Sequence, residues 1–222
     1  MKSEEKPQRP PVLMSFTEVK PHLYLSGFGC ITEKAIHDHG ITHAVDATNI
    51  PNNKRLSSLK YFNVPVADDL LSKINKYFYE VASFVDSAKS EGGKCLIYCA
   101  AGVSRSACLV LTYLILRENM TLRDAYYYLN QKRPIISPNI NFWRQMIAAE
   151  EVEKGEATVK LITGRLSKPI PDVYLHRAVK MPEEIQKYEK KRSGFCTESE
   201  STPTIENDTK KVEVKEGEEE NE

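Results

Sequence analysis

Cys99, Arg105 and Ser106 stand in one short stretch, Ile97 to Ala107, that reads IYCAAGVSRSA. A cysteine that ends an apolar run and is followed by small residues sits where a buried strand gives way to a helix. Ala100, Ala101, Gly102, Val103 and Ser104 leave room for successive backbone N–H groups to turn inward as a nest, and the N-terminus of the following helix adds partial positive charge. Such a cavity suits a tetrahedral dianion. Arg105 adds a planar fork that grips two phosphate oxygens together, a geometry lysine cannot copy. The field that attracts phosphate also favours a thiolate, and thiols at helix N-termini have pKa values lowered to roughly 3.5–7.5. These residue types therefore support in-line attack of a Cys99 thiolate on phosphorus. The product is a phosphocysteine whose equatorial oxygens face the loop amides and Arg105.

The departing oxygen needs a proton. Asp68 ends the run VPVAD on a loop after a strand, where a carboxylic acid can reach over the pocket and later activate water. Asp69 beside it is a competing carboxylate, and either residue alone is also a common turn former. Ser106, next to Arg105, is placed to hydrogen-bond the sulfur and make it a better leaving group when water attacks. Cys95 and Cys108 read as core thiols, either of which could trap an oxidised Cys99 as a disulfide.

The elements that must hold these groups follow from periodicity. Strands are expected at His22–Ser26, Ile41–Ala47, Tyr61–Ala67 and Lys94–Cys99, with Pro65 marking a strand end or edge. Thr32 caps a short helix that Gly40 ends, and Asn75–Ala88 is amphipathic up to the stop at Gly92-Gly93. A helix over about Ser104–Glu118 follows the nest. Thr121 caps LRDAYYYLNQK, and Asn141–Lys154 makes the last amphipathic helix. Strands interleaved with helices predict an α/β fold with a central, mostly parallel sheet flanked by helices, the Cys-x5-Arg loop lying between a strand and a central helix.

Composition narrows the class. The 222 residues carry 31 basic and 31 acidic side chains, so no whole-chain charge draws the protein to nucleic acid or an anionic membrane. Within that balance, Glu206–Glu222 has eight acids and three bases, a net of −5 that leaves +5 on the remainder. Residues 1–17 read as a flexible N-terminus, 18–178 as the catalytic domain and 179–222 as a disordered charged tail. The apolar run Ala107–Leu116 is about half of the roughly 20 residues a membrane span needs, so no stable membrane insertion is expected. Five cysteines without CxxC pairs and no signal-like leader point to reduced thiols in the cytoplasm or nucleus. His22, His37, His39 and His43 have no metal-ligand spacing with the cysteines, and neither metal nor other cofactor is expected.

With Arg133–Asn139 (RPIISPN), Phe142–Ile147 (FWRQMI) and Pro169–Tyr174 (PIPDVY), the pattern CAAGVSRSA resembles the cysteine-dependent protein tyrosine phosphatases. Specifically, it resembles the small atypical dual-specificity branch, over roughly residues 18 to 178. The resemblance implies a phosphotyrosine-phosphatase-like fold, with Cys99 as nucleophile, Arg105 as phosphate clamp, Asp68 rather than Asp69 as general acid and Ser106 as the assisting hydroxyl. It implies phosphorylated proteins as substrates, with both phosphotyrosine and phosphoserine/threonine accepted. The chain departs from the family at two places: Tyr98 replaces the usual histidine before the nucleophile, and Asn141 replaces a common glycine. Tyr98 is expected to modulate the nucleophile, its hydroxyl partly replacing the histidine's hydrogen bonding without cationic support, so that the Cys99 pKa lies above the family norm. Two other functions compete. A phosphoprotein-binding pseudophosphatase is suggested by Tyr98. A phosphoinositide or RNA 5′-phosphatase is disfavoured by the neutral Ala100, Ala101 and Val103.

Overall fold

The apolar run before the nucleophile forms strand β5 (Cys95–Cys99), every residue of which is buried. Its sequence shows no polar alternation because β2 (Leu23–Gly27) and β3 (His43–Asp46) pair with it in parallel on either side, and strands covered on both faces read as continuous apolar runs. β4 (Lys60–Asn63) adds in parallel to β3, and β1 (Thr17–Lys20) adds antiparallel to β2, giving the order β1-β2-β5-β3-β4. The computed structural model describes residues 15–53, 55–163 and 168–175. All of them fall in one unit spanning residues 1–179. The expected N-terminal segment 1–17, apart from 15–17, and the expected tail 179–222 lie outside the described residues.

Alternation along β5 divides the core. Cys95, Ile97 and Cys99 face the larger cluster, built with α2 (Phe78–Ser90), α3 (Arg105–Arg117), α4 (Leu122–Lys132) and α5 (Ile140–Lys154). Leu96 and Tyr98 face the other side, with Tyr24, Ile36 of α1 (Glu33–His39), Ile41, Ala44 and Leu59. α3 is apolar nearly all round because it is the hub: Arg105 through Ile115 are all buried, against the sheet and α2, α4 and α5. No helix among the described residues is long and apolar enough to cross a membrane.

Local signals set the helix ends. Thr32 accepts from the Ala35 N–H, Thr121 from Asp124 and Asn139 from Phe142, each satisfying a donor of the first turn. α5 thus begins at Ile140, just before the expected Asn141, and a 3-10 turn at Ile74–Tyr77 precedes α2. The strand expected over Tyr61–Ala67 stops at Asn63: Pro65 has no N–H to give a ladder, and the Val66 N–H bonds back to the Val64 carbonyl at 2.8 Å. That turn swings the chain toward Asp68. Periodicity did not foretell β1, nor the ribbon of β6 (Leu161–Thr163) and β7 (Pro169–Pro171).

Candidate active site

The loop from Cys99 to Arg105 is held from outside by its carbonyls. Ala100 O accepts from the Phe28 N–H (3.1 Å), Val103 O from Ser137 (2.8 Å) and Ser104 O from Cys108 (2.8 Å). Between them the buried Arg133 donates its Nε to Gly102 O (2.8 Å) and Nη2 to Ala101 O (3.3 Å). With successive carbonyls bonded outward, the amides of the loop converge on its concave side. Gly102 makes the bend at φ 69°, and a Cβ there would lie 2.6 Å from the carbonyl of Ser26.

Cys99 lies at the floor of this nest, 2% exposed. Burial alone pushes its thiol up. The Ser106 hydroxyl, 3.2 Å from the sulfur, and the N–H groups of Ser106, Val103 and Gly102 outweigh burial and hold the thiol below its ordinary value. Burial drives the thiols of Cys95 and Cys108 up, and at Cys108 it outweighs the Thr112 hydroxyl beside the sulfur. They are core residues.

Arg105 enters from the first turn of α3. Its Nη1 donates to Thr48 O (2.7 Å) and Val66 O (3.3 Å), which fixes the guanidinium plane. Its Nε is buried with no hydrogen-bond acceptor and lies 3.7 Å from Asp68 Oδ2. A buried cationic donor left so is costly, by about 1–3 kcal/mol or more, and is poised for an anion.

Asp68 stands at the rim with its side chain one-third exposed. Its Oδ1 accepts from the Ser104 hydroxyl (2.9 Å) and from Asn139 Nδ2 (2.6 Å). Oδ2 is turned toward Arg105. Asp69, the competing carboxylate, is spent on the turn: its Oδ1 accepts the N–H groups of Leu71 (2.9 Å) and Ser72 (2.7 Å). The geometry therefore brings Cys99, Arg105, Ser106, Ser104 and Asp68 together.

Tyr98 adjoins the nucleophile in sequence but lies on the other face of β5. Strand alternation turns it away from the face of Cys99; its ring stacks on Phe28, and burial and the nearby Asp46 carboxylate push its phenol up. The hydroxyl thus lies on the opposite side of the sheet from the thiol. Asn141, the second departure, donates to the carbonyls of Asp69 (3.3 Å) and Ser72 (2.8 Å) and so ties the acid loop to α5. Sequence reasoning also passed over Arg133 and Asn139 as parts of the site. The usable signals were the run RPIISPN, which holds both residues and carries the resemblance, and Asn139 after Pro138, an N-cap position from which a side chain can serve two elements.

Residues 23–152 match the family model for the dual specificity phosphatase catalytic domain. Among curated proteins the chain is similar to dual specificity protein phosphatase 14 of Homo sapiens, 41% identical over 135 residues that cover 61% of this chain and 68% of that protein. It is also similar to dual specificity protein phosphatase 18 of Homo sapiens, 34% identical over 167 residues, 75% of this chain and 88% of the other. Among solved structures it resembles DUSP15, with 31% identity and a TM-score of 0.58 over 63% of this chain and 87% of that one. Human DUSP28 gives 27% identity and a TM-score of 0.59 over 67% and 98%.

Proposed function

The chain belongs to the dual specificity phosphatase family, and on that premise we propose that it hydrolyses phosphotyrosine and phosphoserine/threonine in proteins through a phosphocysteine on Cys99. The observation that carries the proposal is the pairing of a thiol held low by three backbone N–H groups with a buried guanidinium whose Nε has no acceptor. The nest and Arg105 hold the phosphoryl oxygens and place phosphorus over the sulfur. Cys99 Sγ forms a bond to phosphorus as the ester oxygen leaves, and that oxygen takes the proton of Asp68. General acid assistance of this kind contributes about 10²–10⁴-fold. In the second step the Asp68 carboxylate accepts a proton from water, the water oxygen bonds to phosphorus, and the thiolate departs while Ser106 stabilises it.

The neutral loop side chains Ala100, Ala101 and Val103 support protein phosphoesters over polyanionic lipid or nucleic-acid phosphates. A thiolate nucleophile also needs a reducing compartment, which supports the cytoplasm or nucleus. The test is phosphate release from an aryl phosphate and from phosphotyrosine, phosphothreonine and inositol-phosphate substrates, with Cys99→Ser as control. The proposal expects release from the first three that the control abolishes. Absence of release, or its survival in Cys99→Ser, overturns it.

A further inference from the structure

Tyr98 and Asp46 are partners in the parallel pairing of β5 with β3, and both point to the side of the sheet away from the nucleophile. Asp46 is 6% exposed, an unusual place for a carboxylate, and its bonds explain why it is tolerated. Oδ1 accepts the Thr48 N–H (2.9 Å) and hydroxyl (2.6 Å), Oδ2 accepts Asn53 Nδ2 (3.1 Å), and the Tyr98 hydroxyl faces the same carboxylate and helps hold it ionised. The loop so gathered carries two asparagines, Asn49 and Asn52, at positive φ of 59° and 54°. Such backbone persists only where its surroundings hold it.

The loop ends, at its near side, on the active site. Thr48 O is the 2.7 Å acceptor for Arg105 Nη1, the shortest of the contacts that orient the guanidinium. One line of hydrogen bonds thus runs from the Asp46 carboxylate through Thr48 to Arg105, and Tyr98, the register partner of Asp46, lies beside its far end. We infer that Tyr98 and Asp46 are positioning residues for the phosphate clamp: they set the Thr48 carbonyl, which sets the plane of Arg105. The inference rests on the proposed function only in taking Arg105 as the group that binds the phosphoryl oxygens. It gives the residue before the nucleophile a task unrelated to the thiol.

The test uses the full chain with Tyr98→Phe, Asp46→Asn and Asp46→Ala, read by steady-state kinetics on an aryl phosphate and by inhibition with orthovanadate. Asp46→Ala is expected to weaken vanadate inhibition roughly 10-fold to 100-fold, the scale on which misplacing a clamp acts. Tyr98→Phe, which removes the hydroxyl facing the Asp46 charge, is expected to weaken it about three-fold to ten-fold. Asp46→Asn, which keeps an oxygen for Thr48, falls between wild type and Asp46→Ala. The acidic limb of kcat/KM stays where it is in Tyr98→Phe, since the chain of bonds ends on Arg105 and not on sulfur. In the Asp46→Ala background Tyr98→Phe adds nothing further, the mark of groups acting in series. Vanadate inhibition unchanged in Tyr98→Phe and Asp46→Asn, additive losses in the double variant, or a shifted acidic limb with unchanged vanadate inhibition overturns the inference alone. If Asp46→Ala does not fold, the other two variants still decide. Lack of Cys99-dependent phosphate release by the wild type removes the proposed function and the inference with it.

Discussion

Ser106 is fully buried beside the Cys99 sulfur and contributes both its hydroxyl and its N–H to the thiolate. Replacing it by alanine removes one bond to a charged group, about 1.5–3 kcal/mol, so the thiol pKa rises. The sign follows directly: a donor that stabilises the thiolate lowers the pKa, and its loss moves the acidic limb of kcat/KM to higher pH. Ser106→Ala should also slow departure of the thiolate from phosphorus, and a pre-steady-state burst of the alcohol product would reveal the accumulated phosphocysteine. Asp68→Asn tests the acid. It should lower kcat by about 10²–10⁴ on phosphothreonine peptide, whose alkoxide needs a proton, and much less on an aryl phosphate with a good leaving group. Equal losses on both substrates would argue that Asp68 holds the loop rather than donating a proton. At this scale the sequence was most informative, because Cys99, Arg105 and Ser106 lie within eight residues and their relative placement is local.

The phosphate loop works as an element whose carbonyls are bonded outward to Phe28, Arg133 and Ser137. Its shape depends on Gly102, where a side chain would meet the Ser26 carbonyl at 2.6 Å. Gly102→Ala is therefore expected to cost at least about 100-fold in kcat/KM, because the amides no longer converge on phosphorus. Loss of less than ten-fold would show that the loop can form without its left-handed bend. The strand, the loop and α3 were legible in the sequence as an apolar run, small residues and a second apolar run. The braces were not: Arg133 lies 31 positions from Gly102 and Asn139 lies 71 from Asp68. No periodicity links residues so far apart. The placement of Tyr98 could have been anticipated, since neighbours on a strand point to opposite faces, but its partner Asp46 follows only once β3 is known to pair with β5 in that register.

α3 joins the site to the core of the whole molecule, for Arg105 and Ser106 are its first residues and Leu109 to Ile115 are buried between the sheet and three other helices. Leu114 is wholly buried, and Leu114→Ala should cost about 2–5 kcal/mol, read as a lower urea midpoint at unchanged slope. A cost below 1 kcal/mol would mean that the core closes around the missing side chain. Saturating orthovanadate should oppose that loss, since a ligand at 100 times its Kd adds about 2.7 kcal/mol to the folded state. Contiguous residues specify the fold class, the main helices with the caps Thr32 and Thr121, and the one loop that carries Cys99, Arg105 and Ser106. What braces the loop from behind, what ties Asp68 to the loop and which residue lies beside Tyr98 follow only from the tertiary structure. Each of those depends on strand order and helix packing that bring residues 31 to 71 positions apart within hydrogen-bonding distance.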